Sequence, residues 1–85
     1  MNKDTDLKKM VWHSRRGMLE LDLILVPFAE HVLPNLAETL RGAYAELLRE
    51  EDQDLFQWLV KKQPAPNTGL QQAVDMVLSR TGVKS

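Results

Sequence analysis

Between Met18 and Phe28 the chain reads Met-Leu-Glu-Leu-Asp-Leu-Ile-Leu-Val-Pro-Phe. An ordinary surface helix shows an apolar stripe over part of its circumference only, and this segment is too apolar for that. It is therefore expected in the middle of the fold, packed on several sides. Its polar exceptions, Glu20 and Asp22, and the residues that lead into it, Arg15, Arg16 and Gly17, then need a reason to be there. Carboxylates are favoured in the first turns of a helix, and arginines at the end of a preceding one. A glycine between them lets another backbone come close, and the neighbouring charges can fix that partner's orientation.

The rest of the chain reads as helix in segments. Thr5 is placed to cap a first helix carrying Leu7, Met10, Val11 and Trp12, with Arg15-Arg16 near its C-terminus. Gly17 ends that helix or opens the second. Pro27 lacks an N–H and crowds the carbonyl of Leu23, so the second helix should kink or restart near Val26. Pro34-Asn35 marks the next break. A third helix over 37–50 sets Leu40, Ala43, Tyr44, Leu47 and Leu48 on one face. Asp52 is placed to cap a fourth, with Leu55, Phe56, Trp58, Leu59 and Val60, which Lys61-Lys62 closes. Gln63-Pro64-Ala65-Pro66 cannot be helix interior, and Asn67 or Thr68 caps a fifth helix with Leu70, Ala73, Val74, Val77 and Leu78 inward. Residues 1–4 and 81–85 are expected to fray. The expectation is an all-α, single-domain bundle of about five helices spanning 1–85, with Trp12, Phe28, Phe56 and Trp58 as core anchors.

Composition removes several functions. The chain has no cysteine, which excludes disulfides, thiolate metal sites and cysteine nucleophiles. Its only histidines, His13 and His31, are too far apart in sequence to suggest a metal site. With 11 basic and 12 acidic residues the formal net charge is −1, so no global field draws nucleic acid or an anionic membrane. No run reaches the roughly 18 apolar residues of a spanning helix, and the N-terminus lacks a secretory core. A cytoplasmic protein without membrane insertion is expected. No nucleophile–base pair stands out, so an enzyme is not expected. A small regulatory helical protein of the antitoxin or DNA-binding type is the alternative, weakened by the lack of a basic recognition helix.

Trp12-His13-Ser14-Arg15-Arg16-Gly17-Met18-Leu19-Glu20-Leu21-Asp22, then Pro27-Phe28 and Asp52-Gln53-Asp54-Leu55-Phe56-Gln57-Trp58-Leu59, closely resembles the SdhE family of bacterial flavinylation factors. The resemblance covers about 9–80, and its RGxxE element is Arg16, Gly17 and Glu20. Leu19 stands where that family often has a basic or polar residue, and Ala37 where a polar helix cap is usual. The resemblance implies a compact helical bundle without a catalytic site. It implies an accessory protein that binds the flavoprotein subunit of succinate dehydrogenase, and in many bacteria that of fumarate reductase, and promotes covalent attachment of FAD to it. No cofactor would be stably bound by this chain; the FAD belongs to the partner. The partner-binding residues so implied are Arg15, Arg16, Gly17, Met18, Glu20 and Asp22, with Arg16 offering bidentate bonds to the client. The chain would be a monomer or a weak homodimer formed through Met18 and Leu19.

Overall fold

A computed structural model describes residues 3–80, with side chains from Leu7 to Ser79. Five α-helices follow one another: α1 (Lys3–His13), α2 (Leu19–Pro27), α3 (Glu38–Leu48), α4 (Asp52–Leu55) and α5 (Thr68–Arg80). No strand occurs among the described residues. The all-α bundle expected from the apolar spacing is what forms. Lys3 and Asp4 belong to α1, and Thr5 lies inside that helix instead of capping it. The fraying expected at 1–2 and 81–85 falls outside the described residues.

Proline is accommodated by widening as much as by breaking. Pro27 is the last residue of α2, and Phe28–Val32 continues as a π-helical turn, which the Leu33 N–H closes onto the Phe28 carbonyl. A 3₁₀ turn at Leu33–Asn35 then ends the run at Pro34-Asn35. The same device recurs after α4. Phe56–Val60 is π-helical, with the Lys61 N–H on the Phe56 carbonyl at 3.1 Å. Lys62 turns left-handed at φ 62°, and the Gln63 N–H reaches the Gln57 carbonyl at 2.8 Å. Asn67 starts α5 through its side chain, whose Oδ1 accepts the Leu70 N–H at 2.8 Å. Ala37 precedes α3 without any side-chain cap bond.

The core gathers Leu21, Leu25, Phe28, Leu33, Tyr44, Leu47, Leu55, Trp58, Leu59, Val74 and Val77. α2 and its π-helical continuation run through its centre, against α5 and the Phe56–Val60 turn, while α3 packs on α5. Burial of α2 is nevertheless one-sided. Leu21 and Leu25 are fully buried, but Leu19 and Leu23 are 68% and 64% exposed. Side chains four apart share a helix face, so the four leucines divide into an inner and an outer ridge. The expectation that this segment packs on several sides is corrected accordingly. Of the expected aromatic anchors, Phe28 and Trp58 are core and Phe56 packs against its margin. Trp12 is not core: it projects from α1 with 73% of its surface exposed.

One polar thread crosses this core. Ser14, just past α1, is completely buried. Its hydroxyl donates to the Met10 carbonyl at 2.8 Å and meets the Tyr44 hydroxyl. Each hydroxyl has one proton. With the Ser14 proton on Met10, the Tyr44 proton falls on Ser14 Oγ, and the Leu25 carbonyl at 3.4 Å is a weaker second acceptor. The Tyr44 ring also stacks at 4.9 Å on Phe28, tilted by 38°. Burial pushes the Tyr44 phenol up to about 12 from 10.0, against smaller opposing effects of Ser14 and the Arg16 charge.

The folded chain thus keeps a proton that the unfolded chain releases near pH 10. Stability linked to it is complete below pH 10 and lost as pH climbs towards about 12. Two pKa units correspond to about 2–3 kcal/mol. In urea titrations across that window wild type should lose stability faster than Tyr44→Phe by up to that amount. Parallel profiles would show that the phenol is hydrated in the folded protein.

Candidate functional site

Helix α1 stops at His13 and α2 begins at Leu19, so Arg15-Arg16-Gly17-Met18 is neither helix. Gly17 adopts φ +82°, a left-handed conformation that costs a residue with a Cβ roughly 1–2 kcal/mol. It is part of the loop, not the end of α1 or the start of α2. The space around it is open: a Cβ built there would meet nothing within 4 Å. Met18 follows in an extended conformation, at φ −111° and ψ 117°, and its carbonyl accepts the Asp22 N–H at 2.9 Å, which starts α2.

Arg16 holds this loop in place. Its guanidinium bonds Asp52 Oδ1 through Nε at 2.8 Å, the His13 and Leu48 carbonyls through Nη1 at 3.0 and 2.9 Å, and the Glu50 carbonyl through Nη2 at 2.8 Å. Its side chain is 15% exposed. His13 and Leu48 are the last residues of α1 and α3, and Asp52 is the first of α4. One planar cation therefore satisfies carbonyls at two helix C-termini, where positive charge is favoured, and ties both to a third helix. The Arg16 backbone N–H donates to Asp22 Oδ1 at 2.8 Å. Two sequence expectations change as a result. Arg16 spends its donors on its own chain instead of offering a bidentate fork outward. Asp52 is a first helical residue bonded to Arg16, and Glu51 takes the cap position without a side-chain bond.

Of the remaining loop residues, Gly17 is exposed and Met18 is half-buried against the core. Arg15 and Glu20 are exposed, and neither side chain has a hydrogen bond or ion pair among the described residues. Arg16 and Glu20 do not pair. Met18 and Glu20 line one side of an open cleft of about 410 Å³, with Gln53, Asp54, Phe56 and Gln57 opposite. Lys61 Nζ sits 5.9 Å from the Phe56 ring centroid. The cleft is thus lined by apolar Met18 and Phe56 together with two carboxylates, Glu20 and Asp54. In sequence the α4 side of it reads as a solvated acidic cap region or an acidic docking loop, and nothing local links Glu20 to Asp54. Among the described residues no helix is long and apolar enough to cross a membrane.

Comparison with known proteins now bears on this site. Residues 8–81, a span that includes the loop, both cleft walls and Asp52, match the family model described as the flavinator of succinate dehydrogenase. The chain belongs to that family. A relative from Pseudomonas putida, the FAD assembly factor SdhE, is 46% identical over 84 residues, which cover 99% of this chain and 100% of the relative. FAD assembly factors SdhE from Mannheimia succiniciproducens and Vibrio cholerae are 45% and 37% identical, over 92% and 84% of this chain and 91% and 83% of their own lengths. Flavinators are thus the frame in which the Arg16-braced loop is read, as the sequence resemblance to SdhE implies.

Proposed function

We propose that this protein is an assembly factor that binds the flavoprotein subunit of succinate dehydrogenase and promotes covalent attachment of FAD to it, with the fumarate reductase flavoprotein as a second client. The observation that carries the reading is the 46% identity to a FAD assembly factor along essentially the whole of both chains. The protein acts in the cytoplasm, holds no cofactor stably and has no catalytic residue. The client supplies FAD and the histidine that attacks it. A client whose flavin-binding and capping regions move relative to each other gains from a partner that holds them in one arrangement, because the reactive geometry is then populated more often.

Two kinds of residue contribute to holding the client. Arg15, Gly17, Met18 and Glu20 meet it directly, with Gly17 allowing close backbone approach and Glu20 accepting hydrogen bonds. Arg16 and Asp22 act through the loop, fixing its path from within. A weak homodimer through Met18 and Leu19 would occupy the same surface, so client binding and self-association compete.

Deleting the gene and reading flavin fluorescence from denatured lysate on a gel tests the proposal. The flavoprotein band should vanish and return on complementation; a band unchanged by deletion refutes the function. For the site, Glu20→Ala should leave stability within about 1 kcal/mol of wild type, since Glu20 is exposed without a partner among the described residues. Client co-purification should fall. If instead the variant melts much earlier and binds normally when folded, Glu20 is structural.

A further inference from the structure

Helix α1 carries a face that the bundle leaves uncovered. Leu7 and Val11 stand on one ridge and Lys8 and Trp12 on the next, at the four-residue spacing of neighbours on a helix surface, and Arg15 follows in the loop just past the end of α1. Together they line a groove of about 270 Å³. Leu7 and Val11 lean on the core with one side only. Trp12 is the most exposed of the large apolar side chains among the described residues. Lys8 and Arg15 flank the apolar strip, both exposed and both without a side-chain hydrogen bond or ion pair among the described residues. Tryptophan is one of the side chains enriched at the energetic centres of protein interfaces. Here it lies between two cations, on a chain whose net charge is −1.

That charge pattern selects the occupant. A second copy docking by two-fold symmetry would set the same patch against itself, bringing two Lys8 and two Arg15 together around the indoles. Like charges at an interface disfavour that pairing. The complementary surface is apolar and acidic. Arg15 also joins this groove to the Gly17 loop, so one partner can span both.

We propose that the α1 groove is a second docking element for the flavoprotein client, taking a client segment whose apolar side chains cover Trp12 and whose carboxylates meet Lys8 and Arg15. This rests on the assembly-factor reading and adds to it the chemistry of a contact outside the RGxxE element. Contact on two sides of the loop constrains the client's orientation, which a single contact at Gly17 would leave free to pivot.

The test uses full-length protein carrying 5-fluorotryptophan and unlabelled apo-flavoprotein. The chain has two tryptophans, so fluorine NMR gives two signals, assigned with Trp12→Phe. On client addition the Trp12 signal should shift and become shielded from a soluble paramagnetic quencher, and Trp58 should gain no comparable protection. Trp12→Ala should retain its melting temperature and weaken client affinity roughly tenfold or more. The double variant Lys8→Glu, Arg15→Glu should bind more weakly than wild type at low salt, with the difference narrowing as salt is raised. A client that binds and is flavinylated while Trp12 stays open to quencher, and Trp12→Ala binds as wild type, overturns the groove and leaves the assembly function standing. If the wild-type protein binds no flavoprotein, both fall. A Trp12 shift produced by raising this protein's own concentration, or by anionic phosphatidylglycerol vesicles, without one produced by client, assigns the groove elsewhere and overturns the proposal.

Discussion

Arg16→Ala should lower the free energy of unfolding by about 3 kcal/mol, the largest stability loss expected of any substitution in the loop. The substitution strands the carbonyls of His13, Leu48 and Glu50 and the carboxylate of Asp52 together. Hydrogen bonds to charged donors are each worth about 1.5–3 kcal/mol, but they do not add. Asp52 is 39% exposed, so water recovers part of the loss there; the Leu48 carbonyl, at the end of α3 beneath the loop, is less easily rehydrated. Arg16→Lys is the discriminating companion. An ammonium keeps the charge but lacks the planar fork, so it can serve one or two of the four acceptors and should recover only part of the stability. Urea denaturation at neutral pH measures both. A wild-type midpoint for Arg16→Ala would show that the guanidinium is not bound to its own chain in solution, and would return it to the client-facing residues.

This internal bracing changes what the RGxxE pattern means physically. Arginine, glycine and glutamate read in sequence as three contacts with a partner. In the fold their roles separate, because Arg16 faces in and holds the loop, Gly17 gives it a left-handed turn, and Glu20 faces out over the cleft. Any loss of function in an Arg16 variant is therefore expected to pass through loop geometry and stability, and any loss in a Glu20 variant is not.

Much of the fold was legible because it depends on local patterns. Apolar spacing located α3 and α5, Pro64 and Pro66 forced the connection before α5, and Asn67 caps that helix through its side chain. What escaped depends on contacts between distant residues. Leu19 and Leu21 are the same residue type two positions apart, and only the neighbouring elements decide that one faces solvent and the other the core. Trp12 was expected inside because a small domain has few large anchors, yet the groove of α1 leaves it outside. Asp52 has the chemistry of a helix cap, but an arginine 36 residues earlier claims its carboxylate. Ser14 gave no signal of burial, since its partner Tyr44 lies 30 residues away. The site was thus legible as a stretch of chain, while its internal brace and its second wall were not.

Gly17→Leu should fold and lose its function. At φ +82° any residue with a Cβ carries strain, of roughly 1–2 kcal/mol, and a small helical domain tolerates that. No further clash is expected within the protein, because a Cβ at this position meets nothing within 4 Å. The variant should therefore keep native helical circular dichroism and melt only slightly earlier. Client docking is affected differently: four extra carbons placed where two backbones approach hold them apart, and the loop can no longer seat. The expected result is a folded protein that no longer co-purifies with the flavoprotein and leaves covalent flavin absent from a complemented deletion strain. Gly17→Ala separates bulk from backbone. It carries nearly the same conformational cost with one added carbon, so it should retain much of the binding that leucine abolishes. If alanine abolishes binding as fully as leucine, the loop's left-handed turn is what the client requires and close approach is not. If Gly17→Leu is folded and restores covalent flavin as wild type does, the client meets another surface, and the open space over Gly17 has no part in docking.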